Sequence, residues 1–421
     1  MKWSDRYFII ICILAFILPG YLSMASDRYF LKCDENSIAT GITICFKNKK
    51  YLEKNHDLPG ASDLVAHLFQ IKYREMEDDF RRLGADLQFY DYPFIPFDDY
   101  YTNDYFGFIR VKVLPQNTDE ALNLVFSLIK RVENFTDEDL KIAKKSVYNS
   151  NIMRNRKKEK IKKNVFKAYF GDSFFAMPDY CFNTGFDLNN FKGFVKEYLD
   201  PSNIFISMYG KFDPLNVSTI LDSYFRGSKP VPIVLRGRLR NLKNHKILLE
   251  GEGKQAYVYI FYPLKDIKTF SSLAKLYLLT SYVSEKVSFQ IREREGLAYS
   301  VGCYLMFKGG HLFFVSYCAT APSEVSHVAG EMKSIVDAYM LKPVKLSSED
   351  MKRIKGRVLL SNMLKTLPNV NKSFFNAMYR LTEFKGYNKI ALDKEIKKAK
   401  IEKLCGTDFL VYNNFLEIIL K

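Results

Sequence analysis

Tyr105-Phe106-Gly107-Phe108-Ile109-Arg110-Val111-Lys112-Val113 alternates with a period of two, the pattern of a strand with one face on a core. Leu114-Pro115 ends the alternation. A helix follows, capped by Asn117 with Glu120 three residues on, and its apolar stripe is Leu122, Val125, Phe126, Ile129 and Val132. A second helix opens at Thr136 with Asp139 three on and runs through Leu140, Ala143 and Val147.

The same order returns further along the chain. His311-Leu312-Phe313-Phe314-Val315-Ser316-Tyr317 reads as a strand, and Ala321-Pro322-Ser323 leads into a helix with Val328, Met332, Ile335 and Val336. Another helix opens at Ser347 with Asp350 three on and continues through Met351 and Ile354. Phe135-Thr136-Asp137-Glu138-Asp139-Leu140 aligns with Leu346-Ser347-Ser348-Glu349-Asp350-Met351, and the same spacing takes Ser150-Asn151-Ile152 onto Ser361-Asn362-Met363. A repeat on the scale of half a chain predicts two homologous domains rather than a solenoid. The strands do not follow a plain βαβα order. The expected class is α+β: two homologous α/β-sandwich-like halves, each a mostly antiparallel sheet with helices packed on it.

The 421 residues are 48% hydrophobic and 26% charged, which excludes a disordered chain, a collagen-like repeat and a multi-span membrane protein. Lys+Arg 63 against Asp+Glu 47 gives a net charge of +16. The excess is mostly lysine and comes with many Phe and Tyr, so it reads in part as compositional bias.

Lys2 and Arg6 precede an apolar run from Phe8 to Leu18, too short to span a bilayer. Pro19-Gly20 breaks the run, and Ser23-Met24-Ala25 places small residues before a cut. Residues 1–25 read as a secretory signal peptide and the chain as exported, to a periplasm; an uncleaved anchor is the alternative. The expected organisation is an N-terminal domain over 26–226, a basic, proline-bearing linker over 227–246 and a homologous C-terminal domain over 247–421. Cys33, Cys45, Cys181, Cys303, Cys318 and Cys405 are scattered, without a C-x-x-C pair. One or two disulfides or buried free thiols both suit that spacing.

In the first half, Gly60-Ala61-Ser62-Asp63-Leu64-Val65-Ala66-His67-Leu68-Phe69 follows a strand, Ile42 to Phe46, and Leu83-Gly84-Ala85-Asp86-Leu87 comes one helix later. The second half carries Phe289-Gln290-Ile291-Arg292-Glu293-Arg294-Glu295-Gly296-Leu297-Ala298-Tyr299-Ser300-Val301, and Tyr209-Gly210-Lys211-Phe212-Asp213 closes the first domain. With the duplication, these stretches resemble the insulinase, pitrilysin and mitochondrial-processing-peptidase family of inverted zinc peptidases. The resemblance covers nearly the whole chain after the leader, and Arg292 to Val301 is its most specific part. It implies two clam-like halves facing a chamber for unfolded peptide.

Active members of that family carry H-x-x-E-H on a helix, with two zinc-binding histidines, a general-base Glu, and a further Glu ligand from a later helix. Here the motif is degenerate: Asp63 replaces one histidine, Ala66 the base, and only His67 remains. The later helix, Leu140 to Lys158, has no acidic residue, and Ala143 and Ser150 stand about where the family's glutamates are expected. A catalytic zinc site takes about three protein ligands, and Asp63 with His67 offers two. The resemblance therefore implies a chain with no catalytic residue, no metal and no cofactor of its own, and zinc only in a homologous partner subunit.

Members that work as pairs keep an Arg and a Tyr in the second half that hold the substrate backbone. Arg292 and Tyr299 match those positions. A guanidinium and a phenol both donate hydrogen bonds to a carbonyl oxygen; an ion pair of Arg292 with Glu293 or Glu295 and a core position for Tyr299 are the structural alternatives. The implied function is that of a non-catalytic subunit of an exported heterodimeric zinc peptidase. A peptide-binding or structural scaffold without proteolysis is the alternative.

Two stretches stand outside this reading. Arg154 to Lys163 holds seven basic residues and one Glu, which suits a solvated helix face, a weak contact with an anionic membrane surface or a partner's acidic patch, and nucleic acid is not expected. Phe89 to Phe106 is crowded with Tyr, Phe and Asp and reads as an insertion beside the degenerate motif, an interface loop or a packed cover.

Overall fold

The computed structural model describes residues 23–90, 103–153, 156–177, 187–234, 236–251, 253–382, 389–399, 403–404, 406–410 and 414–421. Most of the leader and residues 91–102 of the aromatic insertion lie outside them, as do Cys181 and Cys405.

The chain packs as two compact units. The first contains Met1–Met153, Asp179–Val234 and Lys365–Leu381; the second contains Arg154–Pro178, Leu235–Leu364 and Thr382–Lys421. Each unit thus takes one segment from the other half of the sequence. A division at 227–246 follows covalent order, whereas packing exchanges helices between the halves.

In the first unit β1 (Ser23–Ala25), β2 (Tyr29–Cys33), β3 (Thr40–Lys47), β4 (Asp86–Gln88), β5 (Phe106–Val113) and β6 (Ile204–Gly210) form a sheet ordered β1-β2-β6-β3-β5-β4. Only the β2–β6 pair is parallel. In the second, β7 (His245–Leu249), β8 (Ala256–Pro263), β9 (Ala298–Lys308), β10 (His311–Thr320) and β13 (Leu416–Leu420) are ordered β7-β13-β8-β10-β9, and only β13–β7 is parallel. Strand for strand, β2-β6-β3-β5-β4 corresponds to β7-β13-β8-β10-β9, the parallel pair included. This is the duplication expected from the repeated stretches, and the sheets are mostly antiparallel as expected. A two-residue ladder joins β11 (Val344–Lys345) to β12 (Lys403–Leu404).

Helices α1 (Lys49–Asn55), α2 (Ala61–Arg74), α3 (Glu77–Arg82), α4 (Thr118–Glu133), α5 (Asp137–Met153), α7 (Leu188–Leu199) and α8 (Pro214–Tyr224) belong to the first unit. Their buried stripes, such as Leu64, Val65 and Leu68 of α2 and Leu122, Val125 and Ile129 of α4, meet Ile42, Ile44, Ile109 and Val111 of the sheet in one apolar core. The second unit has α9 (Phe270–Ser288), α10 (Val325–Met340), α11 (Ser348–Lys365) and α13 (Lys389–Lys398). There Leu276, Leu279, Val328 and Met332 pack on Val258, Ile260 and Phe314.

The exchanged helices are α6 (Arg156–Phe170), in the second unit, and α12 (Asn369–Leu381), in the first. On α12, Asn369 Nδ2 donates to Ala39 O (2.6 Å), and Ser373 Oγ shares a 2.7 Å hydrogen bond with Thr43 Oγ1. Backbone meets backbone here: a Cβ on Gly41 would lie 2.2 Å from Val370 N, so only glycine admits the helix. On α6, Tyr169 Oη donates to Phe261 O (3.3 Å) and its ring lies 5.0 Å from that of Phe313. The expected helix from Leu140 to Lys158 is therefore two helices, α5 and the start of α6, in different units.

Two of the three expected side-chain caps form. Asp139 N donates to Thr136 Oγ1 (3.2 Å) while Thr136 N donates to Asp139 Oδ2 (2.7 Å), and Asp350 N donates to Ser347 Oγ (3.0 Å). The third does not form. Asn117 precedes α4 without a side-chain cap, because its Nδ2 donates instead to Leu83 O (3.0 Å) and ties α4 to the end of α3.

Candidate functional site

Helix α2 begins at Ala61 after Gly60, whose φ of +78° turns the chain into it. Glu53 of α1 replaces a side-chain cap by accepting from Ser62 N (3.2 Å). That carboxylate is fully buried and also bonds Ser62 Oγ and Lys50 Nζ, so the α1–α2 corner is held by a dry ionic network. The corner sets the rotation of α2. Asp63 and Ala66 are partly exposed, and His67 is turned inward at 3% exposure.

His67 meets α5. Its Nδ1 lies 2.9 Å from Ser146 Oγ, and its ring stacks at 4.7 Å and 28° on Tyr90, at the start of the aromatic insertion. Ser146 sits between Ala143, fully buried in the core, and the partly exposed Ser150. Sequence reasoning singled out neither Ser146 as the group opposite His67 nor Tyr90 as the ring that covers it. The signal for Ser146 was its place three and four residues from those two positions, on the adjoining part of the helix face.

These side chains do not fit a catalytic zinc ion. Such a site takes about three ligands, one position for water and a base beside it. Here a hydroxyl stands where α5 faces His67, Ala66 carries no proton acceptor, and the imidazole Nδ1 is engaged by Ser146 while the ring stacks on Tyr90. Among the described residues no group of three His, Cys, Asp or Glu side chains is placed to hold a metal. The other histidines have structural partners or lie on the surface. His56 bridges Asn190 and Glu197, His311 Nε2 lies 2.8 Å from Gly237 O, His327 reaches Glu295, and His245 is exposed.

The Arg/Tyr stretch of the second unit is built differently. Helix α9 widens into a π turn over Phe289–Arg294, anchored by the fully buried Ile291. Gly296, at φ +69°, reverses the chain, and Leu297 N closes the turn on Ile291 O (2.9 Å) before β9 begins. Tyr299, the second residue of β9, is 73% exposed, which rules out a core position. The side chain of Arg292 is 58% exposed, and its Nε is 3.8 Å from Glu293 Oε1, on a carboxylate that is itself 65% exposed. A pair that open contributes little to stability.

Glu295 is engaged elsewhere. It accepts from Gln290 Nε2 (2.5 Å) and lies 2.8 Å from His327 Nε2 of α10. The hydrogen bond with His327, helped by Gln290 and by the charges of His327 and Arg294, holds the Glu295 carboxyl below its usual range. The same bond raises the His327 imidazole. Glu295 therefore pins the turn to α10 and leaves the Arg292 guanidinium directed outward.

Cys33, Cys45, Cys303 and Cys318 are free thiols. Burial pushes Cys303 and Cys318 up to about 12, so both stay protonated and unreactive near neutral pH. Among the described residues no helix is long and apolar enough to cross a membrane.

Residues 185–357 match the family model described as the peptidase M16 inactive domain. That span includes Arg292 and Tyr299 and lies outside α2 and α5. No curated protein sequence matches the chain. Among solved structures, a protease from Helicobacter pylori superposes with a TM-score of 0.73 at 12% identity, over 96% of this chain and 100% of that one. A peptidase M16 inactive domain from Pseudomonas fluorescens gives 0.68 at 11% identity, over 95% and 98%. A chain of complex III2 from Candida albicans gives 0.70 at 13% identity, over 95% and 96%. At these identities the likeness is one of fold.

Proposed function

We propose that this chain, an insulinase-like protein with a peptidase M16 inactive domain at residues 185–357, is the zinc-free subunit of an exported peptidase pair, and that Arg292 and Tyr299 are its contacts to unfolded peptide. The observation that carries the reading is the contrast between the two motifs. His67 is buried and occupied, while Arg292 is displayed on a turn that Glu295 ties to Gln290 and His327, and Tyr299 on the strand that follows it.

A peptide carbonyl placed against Arg292 and Tyr299 accepts hydrogen bonds from a guanidinium and from a phenol O–H. Neither group supplies a nucleophile or a base for water, so this chain alone orients substrate and cleaves nothing. Zinc and its base belong to the partner. Export to the periplasm follows from the leader-like residues 1–25.

The test is reconstitution with a homologous chain that carries an intact H-x-x-E-H helix. The partner alone should be nearly inactive and the mixture active. Arg292→Ala or Tyr299→Phe should slow the mixture while melting and co-elution stay unchanged. Loss of a preorganised donor to the developing oxyanion costs ~100–1,000-fold in rate. Loss of ground-state positioning alone costs about 0.5–1.5 kcal/mol, close to tenfold at most. Folded, co-eluting variants that cleave at the wild-type rate would defeat the assignment and favour a scaffold without a proteolytic role.

A further inference from the structure

We propose that the outer face of α6 docks this protein on an anionic lipid surface. The helix holds seven Lys or Arg residues and a single Glu across 15 positions. Its apolar residues Ile161, Val165, Phe166, Tyr169 and Phe170 are all buried, and Lys160, Lys163 and Lys167 follow one another at helical spacing on the side turned away from them. Lys158, Lys160, Lys162, Lys163 and Lys167 are all exposed. The one acid on the helix, Glu159, is 18% exposed and 3.1 Å from Lys162, so the helix itself carries seven basic residues against one carboxylate.

The face is held in place at both ends. Lys157 Nζ donates to Gln255 O and Lys160 Nζ to Glu250 O, both at 2.6 Å, which fastens the N-terminal half to the loop before β8. At the other end Arg240 N donates to Tyr169 O (2.9 Å), and its guanidinium covers Gly171, where a Cβ would come within 2.1 Å of Arg240 Nη2. The positive strip thus runs on through the exposed Arg238 and Arg240. Leu248 on the edge strand β7, two residues before Glu250, is 69% exposed and adds an apolar side chain close to the fastened end.

Compositional bias does not explain this face. Helix α5 balances its lysines with Asp137, Glu138 and Asp139, and on α11 both Arg353 and Arg357 are paired with Glu285. The chemistry also favours lipid over an acidic protein. Ammonium groups on flexible stems suit mobile phosphate headgroups, whereas fixed carboxylates are matched best by arginine forks. The proposal does not rest on the peptide-binding reading and uses none of its residues.

The experiment is flotation of the full-length chain with vesicles of phosphatidylcholine alone or of an equal mixture of phosphatidylcholine and phosphatidylglycerol. The chain should float with the anionic vesicles only, and raising salt from about 0.05 M to 0.5 M should release it. Replacing Lys158, Lys162, Lys163 and Lys167 by Gln should weaken binding at least tenfold, since each lysine near an anionic surface contributes about fivefold. The same change at Lys141, Lys144 and Lys145 of α5 should leave binding unaltered. Equal flotation with neutral vesicles, failure to float with anionic ones, or equal losses in both variants would overturn the proposal. So would soluble poly-glutamate bound as tightly as the vesicles through the same lysines, which would point to an acidic protein partner. The lipid and salt comparisons use the wild-type chain and stand even if the variant fails to fold.

Discussion

If the vestigial motif has become a structural joint, His67→Ala should destabilise the first unit. The variant removes a buried imidazole, its 2.9 Å hydrogen bond to Ser146 and its stack at 4.7 Å on Tyr90. A net hydrogen bond is worth about 0.5–1.5 kcal/mol and a ring pair about the same again beyond burial. With partial collapse around the truncated side chain, the loss should be about 2–4 kcal/mol. At ~2–4 °C per kcal/mol for a unit of this size, the melting midpoint should fall by about 4–16 °C. Ser146→Ala should cost about 1–2 kcal/mol. In the double variant the coupling between the two sites should be about 0.5–1.5 kcal/mol, because one bond is lost in both singles. The assay is urea unfolding of all four chains, followed by fluorescence and far-ultraviolet dichroism, with and without a chelator. Additive single effects within about 0.3 kcal/mol would refute the joint, since the bond would then contribute nothing. A midpoint that drops on chelation of the wild type would refute it from the other side, by showing that His67 holds a metal.

Two further outcomes follow from the packing. Gly41→Ala places a Cβ against the backbone of Asn369 and Val370, which cannot swing aside as a side chain would. It should cost at least ~2 kcal/mol and speed amide exchange across α12; unchanged exchange there would show that the exchanged helix does not depend on this approach. Lys47, the last residue of β3, donates to Val231 O (2.6 Å), and burial lowers its ammonium to about 8 against the opposing pull of Asp27 and Cys45. The unfolded chain therefore holds that proton more tightly, and the burial cost is full below pH 8 and fades as pH rises toward 10.5. Relative to Lys47→Met, the wild type should gain about 1–3 kcal/mol between those limits; parallel pH profiles for the two chains would contradict the assignment.

The amino-acid sequence determined the duplication, the two mostly antiparallel sheets and the absence of an H-x-x-E-H pattern at 63–67. Alternation in 105–113 and 311–317, the paired Thr136/Asp139 and Ser347/Asp350 starts, and the replacements at Asp63 and Ala66 are local facts, carried by backbone period and side-chain chemistry within a few residues. The tertiary structure alone decided what those residues face. The start of α4 read as capped by Asn117, yet that side chain went to Leu83 O, since a carbonyl at the end of another helix is invisible to a local pattern. Ser146 meets His67 only because α2 and α5 cross there, a register that spacing blurred by the insertion at 89–106 did not settle. The continuous helix expected from Leu140 to Lys158 became two because its halves bury their stripes in different cores, and α12 joined the first sheet because Gly41 leaves room for a backbone. Exposure sorted the structural alternatives for the second motif: Tyr299 lies in solvent rather than in a core, and Glu295 is bound to His327 while Arg292 is 3.8 Å from Glu293. Local periodicity specifies elements, but burial and partnership are sums over residues distant in the chain, and those sums exist only once the chain is packed.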